Sequence, residues 1–80
     1  MKIVRYDKDA LAAFLRYRSS ARRLKAKVDR YAASGAGDVK ALVGSQEKRL
    51  RDGDFRIFFL ETETEIFVTK IGPRGRIYER

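Results

Sequence analysis

The chain has neither cysteine nor histidine among its 80 residues. Without cysteine there is no disulfide scaffold and no thiolate metal site. Without histidine, the commonest general base near neutral pH and the commonest metal ligand are both missing. Apolar runs are short, and none approaches the ~20 residues that a bilayer-spanning helix needs. The N-terminus carries no apolar signal core, so the cytoplasm is the expected location and no membrane partner is expected. No glycine-rich loop is followed by a lysine, which excludes a nucleotide-binding loop of that kind. Asp52 and Asp54 flank Gly53 and are better explained as turn formers than as metal ligands. Neither a metal nor a cofactor is expected.

What is abundant is positive charge. The formal net charge is +8, unevenly spread. Residues 1–46 hold eleven Lys or Arg against four Asp, and residues 47–80 hold eight against seven acids. A small protein this basic repels itself and attracts polyanions, anionic membranes or an acidic protein.

Eighty residues make one domain, spanning 1–80. MKIVRY at the N-terminus alternates like a short strand. Asp7 is a candidate N-cap for a first helix whose apolar residues are Leu11, Phe14 and Leu15. Ser19 and Ser20 interrupt it and can cap a second helix from about Ala21 to Ser34, with Leu24, Val28, Tyr31 and Ala32 as its stripe and Gly35 as its stop. SGAGD at 34–38 reads as a flexible connection, and Ala41 to Gly44 as a short apolar anchor. Thereafter the period changes to two. Lys48 to Asp52 and Phe55 to Leu60 form a hairpin about Asp52-Gly53-Asp54. Glu65 to Ile71 returns until Gly72 and Pro73 break it, and Arg76 to Glu79 suits a last short strand. The expected fold is α+β: an N-terminal strand, an antiparallel helical hairpin, then a curled antiparallel sheet of four or five strands, with the helices on one face.

Two basic clusters stand out. Seven Lys or Arg lie between Arg16 and Arg30 with Asp29 as the single acid. Arg23, Lys27 and Arg30 recur at helical spacing on one face. Like charges so placed cost a few tenths of a kcal/mol per pair. A solvated helix face explains them, and so does contact with a nucleic-acid backbone or an acidic partner. In the sheet, Arg49 and Arg51 share a parity, and Arg56 lies just past the turn, opposite Phe55 and Ile57. Alternation therefore frees Arg56 from the core, and alanine there should spare the fold. Arg74, Arg76 and Tyr78 follow the Gly72-Pro73 break. A salt-bridged sheet surface accounts for these residues, and so does a phosphate grip, because arginine keeps its charge and forks onto phosphate oxygens.

Leu42-x-Gly44, then Arg49-Leu50-Arg51-Asp52-Gly53-Asp54-Phe55-Arg56-Ile57-Phe58-Phe59, then Ile71-Gly72-Pro73-Arg74-Gly75-Arg76-Ile77-Tyr78 resembles the RelE/ParE toxin superfamily of bacterial type II toxin–antitoxin systems. The resemblance runs the length of the chain in element order. The RelE-like branch implies a metal-free endoribonuclease that cleaves mRNA in the ribosomal A site, using the 2′-OH as nucleophile and leaving a 2′,3′-cyclic phosphate. It implies catalytic roles for Arg49, Arg56, Arg74 and Tyr78. Lys48, Arg51 and Arg76 are the expected substrate contacts, and the helical spacing of Arg23, Lys27 and Arg30 makes them the expected ribosome or polyanion contacts. The family's first basic position before the hairpin falls on Glu47, a departure in charge. Lys48, next to it, belongs to the other side of a regular strand. The implied partners are the ribosome with its mRNA and a cognate acidic antitoxin. The ParE-like branch implies DNA gyrase as the target instead, and a non-catalytic nucleic-acid or protein binding module of the same fold is the third reading.

Overall fold

The structure, a computed structural model, describes residues 1–77. Its elements are β1 (Ile3–Tyr6), α1 (Lys8–Arg16), α2 (Arg18–Ser34), β2 (Asp38–Ala41), β3 (Lys48–Asp52), β4 (Phe55–Glu61), β5 (Glu65–Pro73) and α3 (Arg74–Ile77). The expected α+β architecture is present. The strands form one five-stranded sheet in the order β1-β5-β4-β3-β2. Neighbours are antiparallel except at one edge, where β1 lies parallel to β5.

Helices α1 and α2 cover one face. Alternation, interrupted on β5 by one extra residue between Val68 and Ile71, sends Leu50, Ile57, Phe59, Ile66, Val68 and Ile71 to that face, where they meet Ala10, Ala13, Leu24, Val28 and Ala32. In α2 the buried residues recur every four positions, as its sequence stripe requires. In α1 they do not. The helix buries Ala10 and Ala13, while Leu11 and Leu15 are 51% and 73% exposed. The small alanines let the short helix lie close to the sheet, and Phe14 reaches it edge-on against Tyr6, with ring centroids 5.2 Å apart.

Four local expectations change. The two helices break at Tyr17 alone, and Ser19 and Ser20 lie inside α2 without a side-chain cap. The Tyr17 ring packs edge-on to Phe55 of β4 at 5.3 Å, so tertiary packing sets the corner. The Ala41 to Gly44 stretch is no anchor, since β2 ends at Ala41 and Val43 is fully exposed. Strand β5 continues through Gly72 to Pro73. Its register with β1 ends at Val68, so the outer edge beyond carries no partner strand among the described residues and tolerates a proline. Finally, residues 74–77 form a helical turn where the sequence suggested a strand.

The β3–β4 hairpin forms as expected. Gly53 takes φ 59° at the first central position, and Asp52 pairs with Phe55. A glycine at this place is the II′ solution, whose twist matches the flanking strands. In β4–β5 the register slips by one residue between Phe58 and Phe59. The extra residue, Thr69, makes a β-bulge, a device that redirects side chains.

Candidate nucleic-acid interface

The face of the sheet away from α1 and α2 carries the arginine motif. Cross-strand pairing aligns its side chains in rows. One row runs Asp38, Arg51, Arg56, Gly72 across β2, β3, β4 and β5. The next runs Lys40, Arg49, Phe58, Lys70. The sheet thus brings together Arg49, Arg51 and Arg56 as expected. It also adds Lys40 and Lys70, which sequence reading missed. The signal for both was their parity relative to Arg49, and it becomes readable only once the register is known.

Like charges directly opposite each other destabilise a sheet, and Arg51 faces Arg56. Two contacts relieve that pair. Arg51 bridges to Asp38 at 3.2 Å, with both side chains more than half exposed. Arg56 folds back on its own hairpin, where Nη1 donates to the carbonyl oxygens of Gly53 at 2.9 Å and Phe55 at 3.0 Å. Arg56 is only 6% exposed, which corrects the expectation of an exposed side chain that alanine replaces at no cost to the fold. Nη1 accounts for two of the five guanidinium donors; Nε and Nη2 have no partner among the described residues. Lys70 is half-buried opposite Phe58, with no salt bridge among the described residues.

Arg74 is exposed at the start of α3. Its backbone N–H donates to Asp54 O at 2.7 Å, which seats it beside the β3–β4 hairpin. Tyr78 lies outside the described residues, as does the side chain of Arg76.

Lys48 is not on this face. It pairs with Phe59 on the helix side, where its Nζ lies 2.8 Å from Glu61. Its parity thus removes it from the substrate-contacting group. Glu61 is 12% exposed and also accepts from Lys2 Nζ at 2.7 Å and Tyr31 Oη at 2.8 Å. Burial alone would raise its carboxyl. The hydrogen bonds from Lys2, Lys48 and Tyr31 outweigh burial and bring it down to about 2. Lys48 is raised in return, chiefly by its hydrogen bond to Glu61, and Tyr31 is raised by burial and then by Glu61. This knot ties the chain start, α2, β3 and β4 together, and it faces away from the arginine rows.

Arg23 and Lys27 are also engaged within the chain. Arg23 Nε lies 2.8 Å from Asp52, and Lys27 Nζ 4.0 Å from it. Asp52, read from sequence as a turn former, thus anchors the hairpin to α2. Arg30 is exposed.

Glu47 precedes β3 with the parity of Arg49. Its Oε2 accepts from Thr69 Oγ1, on the β5 bulge, at 2.8 Å. The same hydroxyl lies 3.2 Å from Phe58 O. Among the described residues, no three His, Cys, Asp or Glu side chains are grouped to hold a metal ion. No helix among them is long and apolar enough to cross a membrane.

Solved structures share this fold. The RelE–RelB complex from Pyrococcus horikoshii OT3 gives a TM-score of 0.76 at 25% identity, covering 94% of this chain and 97% of that one. The RelB–RelE antitoxin–toxin complex from Methanococcus jannaschii gives 0.73 at 20% identity, covering 94% and 95%. YafQ from E. coli strain BL21(DE3) gives 0.74 at 9% identity, covering 98% and 99%. The chain has the RelE-like fold. No family model matches it, and no curated protein matches its sequence. The RelE-like fold is therefore retained where little sequence is shared, and the arginine rows must be judged on their own chemistry.

Proposed function

We propose that this chain is a single RelE-like toxin domain, spanning 1–80, of a type II toxin–antitoxin system. Its activity is ribosome-dependent endoribonuclease cleavage of mRNA in the A site by 2′-OH attack. The observation that carries this reading is the pair of basic rows on the open face of a RelE-like sheet. Arg49, Arg51 and Arg56 stand on adjacent strands, flanked by Lys40 and Lys70. Within those rows as described, five Lys or Arg stand with one acid, Asp38, and such a concentration of positive charge suits a phosphodiester.

In this reading Arg56 stabilises the growing charge on the non-bridging oxygens through Nε and Nη2, held still by the bonds that Nη1 makes to the hairpin. Arg49 and Arg51 hold neighbouring phosphates. Arg74 at the hairpin supports the scissile phosphate and leaving oxygen, and Tyr78 stacks on the substrate. Ribosomal RNA contact falls to Arg30, and to Arg23 and Lys27 while they remain bridged to Asp52. The partner that holds the toxin inactive is an acidic antitoxin, as RelB accompanies RelE in the two archaeal complexes. Carboxylates on such a partner would meet the arginine rows. The test is a translation assay beside a gyrase supercoiling assay. Cleaved mRNA with normal supercoiling supports the reading; blocked supercoiling with intact mRNA replaces it with the ParE-like one.

A further inference from the structure

The open face is not cationic throughout. Phe58, Leu60 and Phe67 alternate with core residues and share that face, and none of them belongs to the helix-side core. Phe67 pairs with Leu60 of β4 on one side and with Arg5 of β1 on the other. The face thus passes from the basic rows on β2, β3 and β4 to an apolar and aromatic zone toward the β1 edge.

At that edge the parallel register sets Arg5 beside Phe67 and Ile3 beside Glu65. The Arg5 guanidinium lies over the Phe67 ring, with Cζ 5.2 Å from the centroid, a cation–π contact. Its Nε lies 3.6 Å from the Glu65 carboxylate. Glu65 offsets the charge of Arg5, so a phosphate gains little there. What remains is a flat surface: the Arg5 side chain is 59% exposed, with the half-buried Phe67 ring behind it. Guanidinium planes and aromatic rings are the surfaces on which unpaired bases stack. Neighbouring strands lie ~4.8 Å apart, so Arg5 on β1 stands about 14 Å across the sheet from the arginines of β3. An extended single strand covers that span in a few nucleotides. It also alternates anion and flat base, as this face alternates cations with an aromatic zone. A duplex buries the faces of its bases in its own stack and does not fit.

We propose that Arg5, backed by Phe67 at the β1 edge, is a stacking platform for one base of single-stranded RNA, a few nucleotides from the phosphate held by the basic rows. The assignment rests on the reading of the open face as the mRNA surface. Arg5 binds and orients the strand and takes no part in bond making. Because every base has a π-face, the platform accepts any base and sets register without reading sequence.

The experiment is equilibrium binding to ribosomes programmed with mRNA whose A-site 2′-hydroxyls are methylated, which blocks the nucleophile. One base at a time is removed from the message to leave an abasic nucleotide. Circular dichroism melts control for folding, and single-turnover cleavage of unmodified mRNA reports the nuclease reading separately. For wild type, one abasic position a few nucleotides from the scissile bond should weaken binding ~5-fold or more. Arg5→Ala should weaken binding to the intact message by a like factor and lose nothing further at that position. Arg5→Lys should behave as Arg5→Ala, because it keeps the charge and lacks the plane. Phe67→Leu should fall between Arg5→Ala and wild type. The salt dependence of binding should be unchanged in Arg5→Ala, whereas losing a phosphate contact would lower its slope by about one. Arg5→Lys binding as wild type, or a lowered slope in Arg5→Ala, would overturn stacking in favour of a phosphate contact. Arg5→Ala that melts normally and binds every message as wild type does would also overturn it, and would leave the pair to β1–β5 packing or to a protein partner. Cleavage of unmodified mRNA would preserve the nuclease reading in either case. Uncut mRNA with the abasic pattern present would remove the nuclease reading and keep the platform.

Discussion

Arg56 shows what a single residue contributes at two levels. Its Nη1 closes the hairpin through two carbonyls, and it is almost wholly buried. Removing a charged donor that bonds two carbonyls of its own hairpin costs about 1–3 kcal/mol, a sizeable share of the ~5–15 kcal/mol that holds a domain. Arg56→Ala should therefore lower the melting temperature as well as cut single-turnover cleavage by ~100-fold or more. Arg56→Lys should keep the charge, lose the fork and recover only part of both. Melting curves and cleavage rates on the same preparations check this, and an Ala variant with an unchanged melt would contradict the buried clamp. Glu61 makes a second residue-scale prediction. Its folded-state carboxyl, at about 2, lies below the ordinary carboxylate range. Its contribution to stability is therefore complete above that range and is lost as pH falls toward 2. The stability advantage of wild type over Glu61→Gln should be constant near neutrality and shrink between about pH 5 and 2 in urea titrations. A constant gap down to acid pH would contradict the Lys2–Lys48–Tyr31 knot.

At the scale of elements, the hairpin that carries Arg51 and Arg56 is held from behind by α2. Asp52 receives Arg23 and Lys27, and Phe55 receives Tyr17. A double-mutant cycle on Arg23 and Asp52 should return a coupling of about 0.2–1 kcal/mol, because Arg23 is half exposed. Zero coupling would detach the helix from the hairpin. Here the limits of reading the sequence are physical. Strands β3 and β4, their turn and the stripe of α2 were legible because alternation, glycine chemistry and helical spacing are local signals. The arginine parity was legible for the same reason. The helix corner at Tyr17, the close approach of Ala10 and Ala13, and the run of β5 through Pro73 were not, because each depends on a distant partner. Arg56 was placed on the correct face, yet its burial was missed, since alternation gives the direction of a side chain and says nothing of where its far end turns. Lys40, Lys70 and the Glu47–Thr69 pair needed the register and the bulge.

Across the whole molecule, one sheet separates two kinds of chemistry. The helix side holds the apolar core and the Glu61 knot, where charges are paired and serve stability. The open side holds the arginine and lysine rows with Glu47, where among the described residues Lys and Arg outnumber Asp and Glu. That division is the physical reason for placing RNA on the open side and for expecting an acidic antitoxin to compete for it. Primer extension on an mRNA translated with the purified protein tests it most directly, because one experiment reports cleavage, its frame within the codon and its need for ribosomes. The expected result is cuts at a fixed position within codons, present only with ribosomes and lost with Arg56→Ala. Full-length mRNA from ribosomes exposed to excess wild-type protein would contradict the assignment of this face to mRNA cleavage.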